Sequence, residues 1–209
     1  MLRILVADDH PIVRAGLKQI ITETPDMMVA DEACDGREVL SKVSGNDYDV
    51  VLLDISMPGM HGIDALRELR ARKPNLPVLI LTMHPEEQYG VRVLRAGAAG
   101  YLVKESSSDE LVSAIRKVAQ GRKYVSPSLG EKLASYLEFD ASAPHERLSD
   151  REYQVMRLIA SGKTVTDIAD ELALSTKTIS TYRRRILEKT GMKSNAEMTR
   201  YAIVNGLVD

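Results

Sequence analysis

The sequence feature that most constrains the fold is a set of short apolar runs, each of which ends in a polar residue. Residues 50–53 read Val-Val-Leu-Leu and lead into Asp54, and three similar runs lead into Asp8, Thr82 and Lys104. The run at 50–53 does not alternate with polar residues, which is typical of a parallel strand covered on both faces by helices. Ligands of such sheets bind beyond the carboxyl ends of the strands. The sequence therefore predicts a parallel sheet with a polar site at one edge.

Helical patterns fill the intervals between these runs, as connections between parallel strands require. The predicted strands cover residues 4–7, 28–33, 50–53, 78–81 and 100–103. The predicted helices cover residues 11–21, 36–43, 63–72, 88–96 and 108–119. Five such units fit a flavodoxin-like, doubly wound α/β fold, whose general strand order is 2-1-3-4-5. We therefore predict one α/β domain over residues 1–121.

The rest of the chain shows no strand pattern. Residues 122–146 hold Gly, Pro and Ser clusters with one helical segment at 128–137, which predicts a linker with a helical insert. Residues 147–209 are predicted to form a small all-α domain of four helices. The predicted N-cap residues of these helices are Ser149, Thr166, Ser175 and Ser194.

Composition and charge narrow the class of protein. Hydrophobic residues make up 44% and charged residues 28% of the chain, which is near the globular average and argues against disorder. No apolar run is long enough to span a bilayer and no signal-peptide pattern is found, so the expected location is the cytoplasm. Cys34 is the lone cysteine, which excludes an internal disulfide, and we interpret it as a small core residue.

The net charge of −2 divides unevenly, with −5 in residues 1–146 and +3 in residues 147–209. This contrast is smaller than a generally basic nucleic-acid-binding protein would show. Any contact with DNA must therefore come from a local cluster of basic residues.

Three carboxylates are predicted to converge at the sheet edge. Asp8, Asp9 and Asp54 could not all stay ionised at contact distance without a cation. A donor set made of oxygen suits a hard ion, and Mg²⁺ that keeps several waters is the expected one. With Thr82 and Lys104 at later strand ends, and the loop Asp-Ile-Ser-Met-Pro-Gly-Met-His-Gly after the third strand, this constellation resembles the receiver domain of two-component response regulators.

The resemblance implies that Asp54 accepts a phosphoryl group from a sensor histidine kinase. The domain would then catalyse its own phosphorylation and dephosphorylation, and it would not be an enzyme acting on other substrates. The implied Mg²⁺ ligands are Asp9, Asp54, the backbone carbonyl of Ser56 and, through water, Asp8. The implied phosphoryl-binding and switch residues are Thr82, Lys104 and Tyr101. Thr82 could instead satisfy backbone groups, and Tyr101 could be an ordinary core aromatic residue.

The C-terminal segment has helix-turn-helix spacing, with two short helices joined by Ala173 and Leu174. The start Leu-Ser-Asp-Arg-Glu, the Ile-Ala-x-x-Leu pattern and the Ser-x-Lys-Thr-Ile opening of the next helix resemble the DNA-binding domain of NarL/FixJ-type, LuxR-like regulators. The resemblance implies a homodimer on a double-stranded DNA operator. RNA polymerase is a further candidate partner.

Alignment with that family indicates which residues of the third C-terminal helix face DNA. Base-edge positions fall on Ser180, Thr181 and Arg184. Phosphate contacts are expected from Lys177, Arg183, Arg185 and Lys189, and Thr178 is a further candidate contact. The three consecutive arginines could instead be a solvated charge run. In the last helix, Tyr201, Ala202 and Val204 could contact a second copy or belong to the domain core.

Two other functions stay open at this point. A haloacid-dehalogenase-like phosphohydrolase would also form an aspartyl phosphate. The motif of that family is D-x-D-x-T, with a second Asp two residues after the nucleophile, whereas this chain has Ser56 at that position. A scaffold or DNA-binding protein with a vestigial pocket is the other alternative, which labelling by acetyl phosphate would exclude. We predict a transcription factor switched by phosphorylation, because a complete acidic edge precedes a complete helix-turn-helix.

Overall fold

The computed structural model describes residues 1–138 and 143–208. The chain divides into two compact units, Met1–Glu131 and Lys132–Asp209, and each is described by itself. The domain limits predicted at residues 121 and 147 stay a prediction. Within the described ranges, none of the helices is long and apolar enough to cross a membrane.

The N-terminal unit is a parallel sheet with helices on its faces. Its strands are β1 Leu2–Ala7, β2 Met27–Ala33, β3 Val50–Leu53, β4 Val78–Thr82 and β5 Gly100–Val103. Its helices are α1 Pro11–Thr22, α2 Gly36–Gly45, α3 Gly62–Arg72, α4 Glu86–Arg95 and α5 Ser108–Ala119. All strand pairs are parallel and the order is β2-β1-β3-β4-β5, so the predicted fold class and strand order are confirmed.

Burial explains why the apolar runs form the middle of this sheet. Every residue of β3 and β4 is buried, as is expected of strands that carry helices on both faces. One core cluster on a sheet face joins Ile4, Val50 and Leu79 to Ile115 of α5. Helix packing therefore holds the central strands in place along their length.

The strand register decides which residues share the sheet edge. Ala7 pairs with Leu53, so the residues that follow each strand, Asp8 and Asp54, emerge side by side. Thr82 pairs with Val103, which places Lys104 next to the end of β4. The five polar positions predicted from the sequence therefore lie at one end of the sheet.

The chain continues along β5 after α5 ends. Tyr124 forms an isolated parallel bridge with Gly100, and its backbone N–H donates to the Ala99 carbonyl at 2.9 Å. Helix α6, Pro127–Glu138, follows, and its Leu129 side chain is fully buried. A Cβ on Gly90 of α4 would lie 2.7 Å from Leu129, so the missing side chain makes room for it. The start of the predicted linker thus packs onto the α/β unit.

Hydrogen bonds reinforce this attachment between α4 and the start of α6. The Ser126 hydroxyl donates to the Glu86 carboxylate at 2.6 Å, and the Ser128 hydroxyl also contacts Glu86.

The predicted helical insert at 128–137 agrees closely with the observed α6.

The C-terminal unit is all-helical, as predicted. It contains a short 3₁₀ helix, Pro144–Arg147, and the helices α7 Asp150–Ala160, α8 Val165–Glu171, α9 Thr176–Thr190 and α10 Asn195–Val204. Its core includes the fully buried side chains of Ile168, Ile179, Ile186 and Met198. Ser149, Ser175 and Ser194 cap their helices as predicted.

Two local predictions were wrong. The N-cap of α8 is Thr164 and not Thr166, because Asp167 lies three residues after Thr164 and completes a reciprocal capping box with it. Cys34 is exposed and not in the core. It lies in the loop after β2, where its backbone N–H and its thiol both donate to the Glu38 carboxylate.

Candidate functional site

The centre of the site is a pair of buried carboxylates at the ends of β1 and β3. Asp8 is 1% exposed and Asp54 is 2% exposed. Main-chain hydrogen bonds hold both, because the Asp8 N–H donates to the Ala33 carbonyl at 3.1 Å and the Asp54 N–H donates to the Ala7 carbonyl at 2.9 Å. Two buried carboxylates this close need positive charge nearby.

Lys104 supplies that charge from the end of β5. Its Nζ atom lies 2.6 Å from Asp8 Oδ2 and 2.7 Å from Asp54 Oδ2. Burial by itself lowers the pKa of Lys104, but the hydrogen bonds and negative charges of Asp54 and Asp8 outweigh it and raise that pKa above its usual value. Lys104 therefore stays protonated and joins the two carboxylates.

The β3–α3 loop covers Asp54 from the side. The Ser56 N–H donates to Asp54 Oδ1 at 3.1 Å, and Ser56 Oγ lies 3.0 Å from His84 Nε2. Gly62, the first residue of α3, passes so close that an added Cβ would lie 2.3 Å from the Asp54 backbone oxygen. The loop can return to the sheet at this distance because position 62 has no side chain.

Thr82 and Tyr101 connect the site to the loop that precedes α4. Thr82 is fully buried, and its hydroxyl accepts the N–H of His84 at 3.4 Å. Tyr101 is 4% exposed, and its hydroxyl donates to the His84 carbonyl at 2.8 Å. Both side chains contact the same loop, one from inside the pocket and one from β5.

The donor set fits a hard divalent cation. Asp9 Oδ1 is buried, and none of the described residues donates a hydrogen bond to it. One ligand atom each from Asp8, Asp9, His10 and Asp54 lies within 4.8 Å of the others. An acceptor that lacks a donor among several carboxylate oxygens is what a Mg²⁺ site offers.

His10 was not among the ligands predicted from the sequence, because the predicted donor set consisted of oxygen atoms only. The structure places His10 Nδ1 at 2.9 Å from Asp9 Oδ1 and at 3.3 Å from Asp8 Oδ1. The available signal was the position of His10 directly after Asp9 and before Pro11, where the chain turns into α1.

The second candidate site is the helix-turn-helix formed by α8 and α9. Among the described residues, Ala173 in the turn is the non-glycine residue with a positive φ, at 52°. Of the predicted DNA contacts on α9, five have exposed side chains, namely Lys177, Ser180, Arg184, Arg185 and Lys189. Thr178, Thr181 and Arg183 are partly exposed. All eight predicted DNA contacts thus reach the surface to some degree.

Three of the predicted cationic contacts have partners within the unit. Lys189 Nζ lies 2.6 Å from the carboxylate of Glu152, which is 2% exposed. The Nε atom of Arg183 donates to Asn195 Oδ1 at 2.6 Å. Arg184 has a looser contact, 3.7 Å to Glu188, and both of these side chains are exposed. Lys177 and Arg185 lie with Ser175 and Thr181 around a shallow depression at the start of α9.

The last helix divides between core and surface. Ala202 is fully buried, and Tyr201 Oη lies 2.7 Å from His145 Nδ1, so both belong to the packing of the unit. Val204 is 76% exposed and Ile203 is 55% exposed. Of the three predicted contact residues, Val204 alone offers a largely free apolar surface.

Two sequence families match this chain. The family described as "Response regulator receiver domain" matches residues 4–116, and "Bacterial regulatory proteins, luxR family" matches residues 146–202. The response regulator GacA of Pseudomonas aeruginosa is 37% identical over 211 residues, covering 100% of this chain and 99% of GacA. The response regulator UvrY of Escherichia coli K12 is 37% identical over 209 residues, covering 99% of this chain and 96% of UvrY.

Solved structures give the same likeness. RcsB from Salmonella enterica serovar Typhimurium, bound to the promoter rprA in the presence of the phosphomimetic BeF₃⁻, is 28% identical with a TM-score of 0.65. The match covers 96% of this chain and 97% of RcsB. The response regulator ChrA of a heme-sensing two-component system is 32% identical with a TM-score of 0.54, covering 99% of this chain and 98% of ChrA.

Proposed function

This chain belongs to the two-component response regulators that join a receiver domain to a LuxR-type DNA-binding domain, and we propose that phosphorylation of Asp54 controls its binding to operator DNA. The observation that carries the proposal is the contact of Lys104 with both buried carboxylates, at 2.6 Å and 2.7 Å. A pocket of this kind presents one carboxylate as a nucleophile and keeps a cation ready for the incoming phosphoryl group.

Asp54 would take its phosphoryl group from a phosphohistidine of a sensor histidine kinase. A carboxylate oxygen attacks phosphorus in line, the phosphorus–nitrogen bond breaks, and the imidazole leaves with the bonding electron pair. Lys104 stabilises negative charge on the phosphoryl oxygens. Mg²⁺ would neutralise further charge when held by Asp9, Asp54 and the backbone carbonyl of Ser56, with Asp8 acting through water.

The signal would then leave the pocket through the loop before α4. Thr82 can turn its hydroxyl from the His84 N–H, 3.4 Å away, to a phosphoryl oxygen on Asp54. Tyr101 already holds the His84 carbonyl, so a change at Thr82 alters a loop that is attached at two points. Movement of this loop would reposition α4 and the surface around it.

The C-terminal unit would bind double-stranded DNA through α9. RcsB, a relative with a whole-chain match, was solved as two dimers bound to two parallel DNAs, which supports a homodimer on an operator. Ser180, Thr181 and Arg184 are proposed to face base edges. Lys177, Thr178 and Arg185 are the best placed for phosphates, whereas Arg183 and Lys189 would first have to give up contacts within the unit.

The test uses the full-length chain with Mg²⁺, with and without beryllofluoride, and DNA selected from a random-sequence pool. Sedimentation gives the oligomeric state, and fluorescence anisotropy gives the affinity for the selected DNA. We expect beryllofluoride to favour the dimer and to tighten binding about tenfold, which corresponds to a coupling free energy of about 1.4 kcal/mol.

Two variants make the result specific. Asp54→Asn should abolish the response, and Asp47→Asn should keep it, because the Asp47 side chain is 97% exposed and lies outside the pocket. Equal dimerisation and affinity with and without beryllofluoride in the wild-type protein would contradict the proposal. Steady turnover of a small phosphate ester that Asp54→Asn lacks would favour a phosphohydrolase instead.

A further inference from the structure

We propose that a latch fastens the start of α6 to α4, and that phosphorylation of Asp54 opens it. The latch consists of Glu86, Gly90, Ser126, Ser128 and Leu129. The inference rests on the proposed function, in which the loop before α4 moves when Asp54 is modified. It adds the next step of the signal, from α4 to the segment that leads along the chain to the DNA-binding unit. The closed latch would restrain this segment in the unmodified protein, and its opening would favour DNA binding.

The polar part of the latch is the Glu86 carboxylate, which accepts two serine hydroxyls. The Ser126 hydroxyl lies 2.7 Å from one carboxylate oxygen and 2.6 Å from the other, and the Ser128 hydroxyl donates to the first of them. The Ser126 hydroxyl also accepts the Leu129 N–H at 3.1 Å, which is the geometry of a helix N-cap. A negative charge at a helix N-terminus is favourable, so Glu86 stabilises the first turn of α6 by its charge and by its hydrogen bonds.

The apolar part of the latch lies on the same face of α4. Gly90 is four residues after Glu86, and positions with this spacing are neighbours on a helix surface. Leu129 is fully buried, and its side chain fills the space beside Gly90, where an added Cβ would lie 2.7 Å from it. The start of α6 is therefore held on α4 by hydrogen bonds at one position and by apolar packing at the next turn.

Glu86 is joined directly to the loop that contacts the phosphorylation pocket. It is the first residue of α4 and follows Pro85. The Tyr101 hydroxyl donates to the His84 carbonyl at 2.8 Å and lies 3.4 Å from the Pro85 carbonyl. Thr82, whose hydroxyl accepts the His84 N–H, is four residues before Glu86. A phosphoryl group that draws Thr82 toward Asp54 would therefore also displace the Glu86 carboxylate.

The surroundings leave room for this movement and limit how far it spreads. A cavity of about 420 Å³ lies between the start of α4, β5 and the segment 124–127. The main chain holds Tyr124 on β5, since its N–H donates to the Ala99 carbonyl at 2.9 Å and its carbonyl accepts the Tyr101 N–H at 3.2 Å. These bonds are separate from the latch. Its opening would therefore free the chain from Ser126 onward and leave Tyr124 in place.

The experiment follows single amides in the full-length protein with Mg²⁺, with and without beryllofluoride. Hydrogen exchange measured by NMR reports on the latch through the Leu129 N–H and through the Gly130 N–H, which donates to the Ser126 carbonyl at 3.0 Å. Exchange follows the population of the open form, so beryllofluoride should speed it about tenfold at both amides, the same factor as expected for DNA affinity. The Tyr124 N–H should keep its exchange rate.

Two variants should open the latch without a phosphoryl mimic. Hydrogen bonds to a charged group are worth about tenfold in an equilibrium, so Glu86→Ala without beryllofluoride should bind the selected DNA about tenfold more tightly than the wild-type protein. Gly90→Ala should act in the same direction by displacing Leu129, although alanine itself favours the helix. Glu68→Ala is the matched control, because it removes the same charge from α3, where Glu68 pairs with Arg72 at 3.3 Å. Far-UV circular dichroism checks that each variant is folded.

Each outcome has a separate meaning. Faster exchange at Leu129 and Gly130 with beryllofluoride, together with tighter DNA binding by Glu86→Ala and Gly90→Ala without it, supports the inference. Unchanged exchange in the wild-type protein, or DNA binding by both variants no tighter than that of Glu68→Ala, overturns it. The proposed function then still stands if beryllofluoride tightens DNA binding by the wild-type protein. If beryllofluoride changes neither exchange nor DNA binding, the inference and the proposed function both fail.

Discussion

Substitution of Gly62 by alanine should strongly destabilise the receiver unit. An added Cβ would lie 2.3 Å from the Asp54 backbone oxygen and 2.5 Å from the Ile55 Cα atom, where ordinary contacts begin at 3.4 Å. Both neighbours are main-chain atoms of the loop that leaves β3, so no flexible side chain can move aside. The start of α3 and this loop must therefore separate by about 1 Å.

The magnitude follows from the cost of overpacking a buried contact. Such changes cost typically 1–3 kcal/mol and sometimes more, and a main-chain contact belongs at the upper end, so we expect a loss of about 3 kcal/mol. For a unit of this size, that loss should lower the melting temperature by roughly 10 °C. Because the displaced loop carries Asp54, labelling of the folded variant by acetyl phosphate should also slow by about 100-fold.

Gly16→Ala is the matched control. Gly16 lies inside α1, and an added Cβ would have no neighbour within 4 Å. Alanine in a helix interior is favoured over glycine by about 0.5–1 kcal/mol, so this variant should melt slightly above the wild-type protein. Thermal melts followed by far-UV circular dichroism measure both. Equal melting temperatures for Gly62→Ala and the wild-type protein would refute the close approach of α3 to Asp54.

Three further predictions concern other parts of the chain. Ala173→Gly should raise the unfolding free energy of the C-terminal unit by up to about 1 kcal/mol, because glycine adopts a positive φ more readily. Thermal melts measure this, and a lower melting temperature for the variant would contradict the prediction. Lys189→Gln should cost about 1–3 kcal/mol of stability by leaving its carboxylate partner buried without a cation. Lys189→Gln should not change the salt dependence of DNA binding, whereas Lys177→Gln should reduce the slope of log K against log salt concentration by about 0.9. The reverse result would contradict the proposal that Lys177 contacts a phosphate and that Lys189 stays in its ion pair. Hydrogen bonds from the backbone and thiol of Cys34 lower the pKa of Glu38 from 4.5 to about 2. The stability that this interaction contributes is present above pH 4.5 and is lost as the pH falls toward about 2, so Glu38→Gln should flatten the pH dependence of urea unfolding in that window.

The strands and the pocket were predictable because they depend on local patterns. The unbroken apolar run at 50–53 marks a strand that is buried on both faces, and the register then brings Asp8 and Asp54 together without further information. A parallel sheet allows few positions for the residue after each strand. The likeness to known receiver domains added the roles of these residues, which the pattern alone does not give.

Contacts between distant residues could not be predicted in the same way. Lys189 and Glu152 are 37 positions apart, and their ion pair depends on how α7 packs against α9. The sequence of α9 therefore did not reveal that Arg183 and Lys189 have partners within the unit. The N-cap of α8, in contrast, could have been predicted from the sequence. Asp167 lies three residues after Thr164, and this spacing already favoured Thr164 over Thr166 as the N-cap.

The bridge between Tyr124 and Gly100 decides where a fragment of this protein can be cut safely. β5 is the edge strand of the sheet, and the main chain at Tyr124 covers its outer side. The Tyr101 N–H, for example, donates to the Tyr124 carbonyl at 3.2 Å. A fragment that ends at Gly121 would leave this side open and would also uncover the pocket that Leu129 fills beside Gly90. Open sheet edges pair with other chains and promote aggregation. A receiver fragment that extends to Glu131 keeps the edge closed.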